Sequence, residues 1–180
     1  GPLDSAAINN AIGIVRSVIT IVSSNVLTHR VAVIDGIEAP GVITALAIYL
    51  AGAGILQAVR TDLSLASEFL GVNAPLRSQL RKDLVRTIGT DNTMTQDFIE
   101  DHRNPWIAEG IGHLLLSIST HHPDLGPPGQ LTALTQIHDY VKEHGLDLVG
   151  LHDEAGGLIG LSVGESKASS NNANRHVAAA

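Results

Sequence analysis

Near its end the chain reads GLDLVGLHDEAGGLIGLSVGESKAS, a stretch that sets Asp147, Glu165 and Lys167 on the two arms of one β-hairpin. Two carboxylates can hold a hard divalent cation through oxygen, and an amine beside them can meet a phosphate or the water that attacks it. The expected chemistry is metal-assisted hydrolysis of a phosphodiester. Other chemistries lack their residues. There is no cysteine for a thiolate metal site, no Gly-rich phosphate loop and no nucleophile elbow.

Such a site needs elements that aim the three side chains. Leu146 to His152 is rich in Leu and Val, Asp153 to Gly157 supplies turn residues, and Leu158 to Lys167 alternates with period two. One face of the second strand then carries Ile159, Leu161, Val163, Glu165 and Lys167, and the other carries Leu158, Gly160, Ser162, Gly164 and Ser166. The apolar face is expected to point at the core and to take Glu165 and Lys167 with it. If His152 pairs with Leu158, antiparallel counting sets Asp147 opposite Val163 and makes Glu165 its diagonal neighbour, roughly 7 to 8 Å away at the backbone. A slip of one residue would send Asp147 to the Gly/Ser face.

An Asp on one strand followed, after 17 intervening residues, by Glu-x-Lys on the next resembles the signature of the PD-(D/E)XK nuclease superfamily. That superfamily includes restriction enzymes and bacterial defence nucleases. The resemblance covers roughly residues 104 to 170, with Leu146 standing where the motif would have its proline. It implies a Mg2+- or Mn2+-dependent endonuclease acting on nucleic acid, DNA before RNA, in restriction or antiviral defence. It assigns Asp147, Glu165 and Lys167 as catalytic, with Asp147 and Glu165 as metal ligands. An acidic residue on the preceding helix often helps to hold the metal, and here the match is Glu109 in NPWIAEGIGHLLLSIS. The superfamily core usually continues with a further helix and strand, so a partial core is expected over residues 104–180. A non-catalytic nuclease-like module that assembles with a partner subunit, or with itself, is the alternative.

Composition sets limits on these readings. Apolar residues make up 44% and charged residues 16% of 180 positions, which is a globular chain with room for one core. Two Phe, two Tyr and one Trp leave packing to Leu, Ile, Val and Ala, and argue against base-stacking platforms. A formal charge of −7 is unusual for a protein that meets phosphates. The best basic cluster is RSQLRKDLVR, in which Arg77 and Arg81 lie four apart on a helix face with Lys82 and Arg86 nearby. Either a solvated surface or a weak nucleic-acid stripe accounts for it. Absence of cysteine fits a cytoplasmic protein.

The expected fold is α/β, a helix-rich N-terminal portion over residues 6–103 packed on the nuclease-like core. Gly1-Pro2 reads as the scar of a removed tag, so residues 1–5 are set aside. Ile8, Ile12, Val15, Ile19, Val22 and Val26 step by three and four and predict a helix over 6–26, followed by a short strand HRVAVID whose Asp35 is a weak functional candidate. Pro40 opens a helix to Arg60, buried rather than membrane-spanning, and no membrane partner is expected. Asp62 and Pro75 open two more helices, and Thr93 with Gln96 forms a capping box. Asn104-Pro105 starts the helix bearing Glu109, which lies on the opposite side from Ile107, Ile111, Leu114, Leu115 and Ile118. Glu109 is then either an exposed first-turn acid or, if both sides of the helix are covered, a residue aimed at the hairpin. LTALTQIHDYVKEHG is expected to be a helix feeding the hairpin. Nine histidines show no zinc-ligand spacing and are expected in surface or capping roles.

Overall fold

The computed structural model describes residues 5–26, 29–53, 94–122, 125, 129–138 and 146–168. Over these the chain is a mixture of helix and strand, with three principal helices and two small antiparallel sheets. The order is α1 (Ser5–Val18), β1 (Thr20–Val26), β2 (His29–Asp35), α2 (Pro40–Ala53), α3 (Asn104–Ile118), β3 (Gln130–Leu134), β4 (Leu148–Glu154) and β5 (Leu158–Gly164). Among the described residues no helix is long and apolar enough to cross a membrane. The helices expected after Asp62 and Pro75, and the basic residues Arg77, Arg81, Lys82 and Arg86, lie outside the described residues.

Residues 6–26 are less helical than their periodicity predicts. Helix α1 stops at Val18, and Thr20 to Val26 pairs with His29 to Asp35, in register from Thr20 opposite Asp35 to Val26 opposite His29. Three- and four-residue steps of Ile and Val fit a helix stripe, but TIVSSNV mixes β-branched residues with Ser and Asn, which favour an extended chain once HRVAVID offers a partner. Asp35 ends β2 and accepts the Gly36 N–H at 2.8 Å, a turn contact.

Helices α1, α2 and α3 share the main core. Ala11, Val15 and Ile19 meet Val42, Ala45 and Tyr49 of α2 and Leu114 and Ile118 of α3. A smaller cluster of Leu50, Trp106 and Ile137 ties α2 and α3 to the segment after β3. Burying a Leu, Ile or Val side chain contributes about 1.5–3 kcal/mol, so these two clusters set where α3 lies. The helical path also begins before Asn104. Thr95 caps a short turn at Gln96–Phe98 by accepting the Phe98 N–H, and a π-helical turn at Ile99–Arg103 runs straight into α3; Thr93 of the expected capping box lies outside the described residues.

A polar chain crosses this packing. Tyr49 Oη lies 2.6 Å from His113 Nδ1 and 3.0 Å from Ser117 Oγ, and His113 Nε2 lies 2.7 Å from the Thr135 carbonyl oxygen. A carbonyl only accepts, so Nε2 carries the proton and neutral Nδ1 accepts from the tyrosine. Burial pushes the Tyr49 hydroxyl up to about 12 and holds the His113 imidazole below its ordinary range. A histidine so depressed binds fewer protons folded than unfolded. Its contribution is therefore complete above the unfolded value near 6.5 and is lost as pH falls toward the lower folded value, at up to about 1.4 kcal/mol per pH unit. Urea midpoints at pH 5.5 and 7.5 should show this loss in the native chain and a smaller one in His113→Gln.

The C-terminal sheet has the order β3-β4-β5. Strand β3 occupies Gln130–Leu134, where a helix over 131–145 is expected, because LTAL pairs with β4 through Leu131 opposite His152 and Leu134 opposite Gly150. A bulge at Thr132 divides the ladder, and that residue's hydroxyl donates to the Leu151 carbonyl at 3.1 Å. The β4–β5 hairpin exists with a tighter turn than expected. Glu154 pairs with Leu158 and Leu148 with Gly164, closed by Ala155, Gly156 and Gly157, both glycines at positive φ (89° and 74°). The register is two residues from the one expected and preserves which residues share a face.

Which face is buried is the reverse of the expectation. Ile159, Leu161 and Val163 are 78%, 62% and 53% exposed, whereas the Gly160, Ser162, Gly164 and Ser166 side is turned inward. Helix α3 explains this. It approaches the sheet so closely at Gly112 that a Cβ there would sit 2.8 Å from Leu148 Cδ1 and 2.9 Å from Ser166 Oγ. Only small residues on β5 leave space for that approach, and the branched side chains are left outside.

Candidate metal centre

Three elements converge beneath the start of β4. Helix α3 brings Glu109, one turn above Trp106 on a side of the helix covered by the segment after β3; the glutamate is 6% exposed. That segment is tied to β4, since the Thr135 N–H donates to the Val149 carbonyl at 2.9 Å and the Val149 N–H donates to Thr135 Oγ1 at 3.0 Å. Ile137 is buried against Leu50 and Trp106. With Thr135 and Ile137 both fixed, His138 is delivered to Glu109. Its backbone N–H donates to Glu109 Oε1 at 2.7 Å, and its Nδ1 lies 3.1 Å from the same oxygen.

Asp147 arrives from the bend before β4. The regular ladder ends at Leu148 opposite Gly164, and there the Asp147 carboxylate accepts the Ser166 N–H at 2.6 Å. Donor atoms of Glu109, His138 and Asp147 all lie within 4.8 Å of one another. Burial holds the Glu109 carboxyl above its ordinary range; the His138 N–H and ring oppose that shift, and the Asp147 charge adds to it. A buried acid beside a second acid favours a positive charge nearby.

The donor set fits a divalent cation. Ligands about 2.1 Å from an ion are roughly 3 to 4.2 Å apart, so small side-chain rotations bring these donors to bonding distance. The Ser166 N–H fixes the orientation of one carboxylate and the His138 N–H that of the other, the kind of outer support that metal-binding carboxylates have.

Of the residues expected from sequence, Glu109 and Asp147 come together, and Glu165 and Lys167 flank Ser166, whose N–H the Asp147 carboxylate accepts. Glu165 continues the outward parity of Ile159, Leu161 and Val163; its side chain is 67% exposed, pairs with the Lys167 ammonium and is not in the Glu109 group. Lys167, at 56% exposure, is held above the ordinary lysine range by its hydrogen bond to Glu165, by the Glu165 charge and, more weakly, by Asp147. The amine is therefore within reach of the Asp147 charge.

His138 is the residue that sequence reasoning passes over. Its spacing to other histidines carries no signal, and reading 131–145 as helix hides it further. The available hint is TALTQIH itself, in which Thr135 and Ile137 alternate with Gln136 and His138 directly after the short strand. His152 also departs from the surface role expected of it. It is fully buried on the inner face of β4, with Nε2 2.6 Å from Ser162 Oγ.

Comparison with protein-family models, with curated proteins and with solved structures found no match to this chain.

Proposed function

We propose that the chain is a metal-dependent nuclease that hydrolyses phosphodiester bonds of nucleic acid, DNA foremost, in bacterial restriction or anti-phage defence. The observation that carries the reading is the meeting of Glu109 and Asp147, remote in sequence, with the Glu165–Lys167 pair flanking Ser166, whose N–H Asp147 accepts. Along the chain these residues follow the order that the resemblance implies, Glu109, then Asp147, then Glu165 and Lys167.

Mg2+ or Mn2+ bound there would polarise a phosphoryl oxygen and make a bound water more acidic. The protein's own residues do the rest. Glu109 and Asp147 hold the charge that retains the cation, each oriented by a backbone N–H. Lys167 meets the attacking water and offsets negative charge as it develops on the phosphate. Glu165 holds the amine in place rather than the metal, which reassigns its role within the signature.

The test is cleavage of duplex DNA, single-stranded DNA and RNA with and without Mg2+ or Mn2+. Lys167→Ala should reduce cleavage roughly tenfold, a modest effect because the amine is exposed and screened, while ion affinity stays near that of the native chain. Equal cleavage by both proteins would remove Lys167 from the mechanism.

One observation favours the alternative, a module that assembles with a partner. Leu151, Ile159, Leu161 and Val163 expose an aliphatic surface on the outer side of the sheet. An assembly role predicts a complex that survives chelator, and a nuclease role predicts activity that does not.

A further inference from the structure

We infer that His138 is a third ligand of this centre and makes it select a first-row transition ion, with Mn2+ as the probe, over Mg2+. The inference rests on the reading above only for the reaction the ion would serve; the selectivity itself follows from the donors. Mg2+ keeps to oxygen ligands and gives up water reluctantly, whereas imidazole nitrogen suits Mn2+ and the ions that follow it in affinity.

The geometry singles out this histidine. Nδ1, not the backbone alone, faces Glu109, 3.1 Å from its Oε1, and a ring nitrogen of His138 lies within 4.8 Å of an Asp147 oxygen. The ring is also placed in advance. Thr135 is doubly bonded to Val149 on the strand that Asp147 precedes, and Ile137 is 3% exposed, so His138 and Asp147 are carried by one fixed unit. Glu109 Oε1 keeps the His138 N–H when Nδ1 exchanges its proton for an ion, which leaves the second carboxylate oxygen free to bind. Both acids and the imidazole then serve one cation, and no other basic side chain among the described residues forms an ion pair with Glu109.

Calorimetric titration with Mn2+ and with Mg2+, and pulsed EPR of the Mn2+-loaded chain, test this directly. The native chain should bind Mn2+ about tenfold or more tightly than Mg2+ and show nitrogen hyperfine coupling to the bound Mn2+. His138→Ala retains the backbone N–H; it should lose the coupling and about tenfold in Mn2+ affinity, with Mg2+ affinity changed less than about threefold. His138→Asn, which offers an oxygen near the place of Nδ1, should bring the two ions close to parity while melting like the native chain. Absence of nitrogen coupling in the native chain, or a Mn2+/Mg2+ ratio unchanged in His138→Ala, overturns the inference. Nitrogen-coupled Mn2+ binding without cleavage of any nucleic acid would uphold the ligand assignment and remove the nuclease reading. Cleavage supported equally by Mg2+ in the native chain and in His138→Ala would do the reverse.

Discussion

Asp147→Asn should abolish divalent-ion binding at accessible concentrations, a loss of at least about 100-fold in affinity, and take metal-dependent cleavage with it. The amide oxygen still accepts the Ser166 N–H, so the hairpin keeps its end contact and the melting temperature should move little. Glu109→Gln should cause a similar loss of binding with a different signature in stability. The Glu109 carboxyl is held above its ordinary range chiefly by burial, so the folded chain binds more protons than the unfolded one over that interval. Stability then declines as pH rises from the unfolded value through the raised one, and at neutral pH the ion-free carboxylate is a liability. Glu109→Gln removes that liability and keeps an acceptor for the His138 N–H. In chelator at pH 7 it should melt a few degrees above the native chain, since about 1 kcal/mol shifts a domain of this size by roughly 2–4 °C. Added Mn2+ should reverse the order, because a ligand stabilises only the protein that binds it. A Glu109→Gln chain that melts lower in chelator would mark the glutamate as a structural anchor.

Much of this site is legible in the sequence because local signals fix its parts. Asn104-Pro105 and the spacing from Ile107 to Ile118 locate α3, and the alternation from Leu158 to Gly164 locates β5. Pairing parity also survives, since a register error of two residues leaves every side chain on its face. What alternation lacks is a sign. It separates Ile159, Leu161 and Val163 from Gly160, Ser162 and Gly164 without saying which set meets the helix, and the rule that larger aliphatics go inward fails where a helix comes within a Cβ of the sheet. The short strand at Gln130–Leu134 is hidden for a related reason. Its five residues become a strand through β4, a partner beyond any local window. With β3 misread, His138 has no address. Asp147 is reached from the hairpin pattern and Glu109 only through the resemblance, and the third donor requires knowing that Thr135 is bonded to Val149.

The helix-to-sheet distance that inverts the faces also sets the separation of the acids, so a residue with no ligand atom should control ion affinity. Gly112→Ala places a methyl where Leu148 Cδ1 and Ser166 Oγ already lie within 2.9 Å, and both must yield. Ser166 is the residue whose N–H orients Asp147, while Glu109 lies three positions before Gly112 on the opposing helix. Moving Ser166 away from α3 therefore draws one acid from the other. Alanine also favours the helix by about 1 kcal/mol over glycine, which offsets the crowding. Gly112→Ala should accordingly melt within a few degrees of the native chain yet bind Mn2+ roughly tenfold more weakly. Gly112→Leu exceeds what side-chain motion absorbs. It should cost about 1–3 kcal/mol of stability from overpacking and lower affinity by about 100-fold. Melting curves in chelator and Mn2+ titrations on the same samples separate the two effects. If both variants retain native affinity, the contact at Gly112 does not govern the distance between Glu109 and Asp147, and those two acids are not held as one site by the packing of α3 on the hairpin.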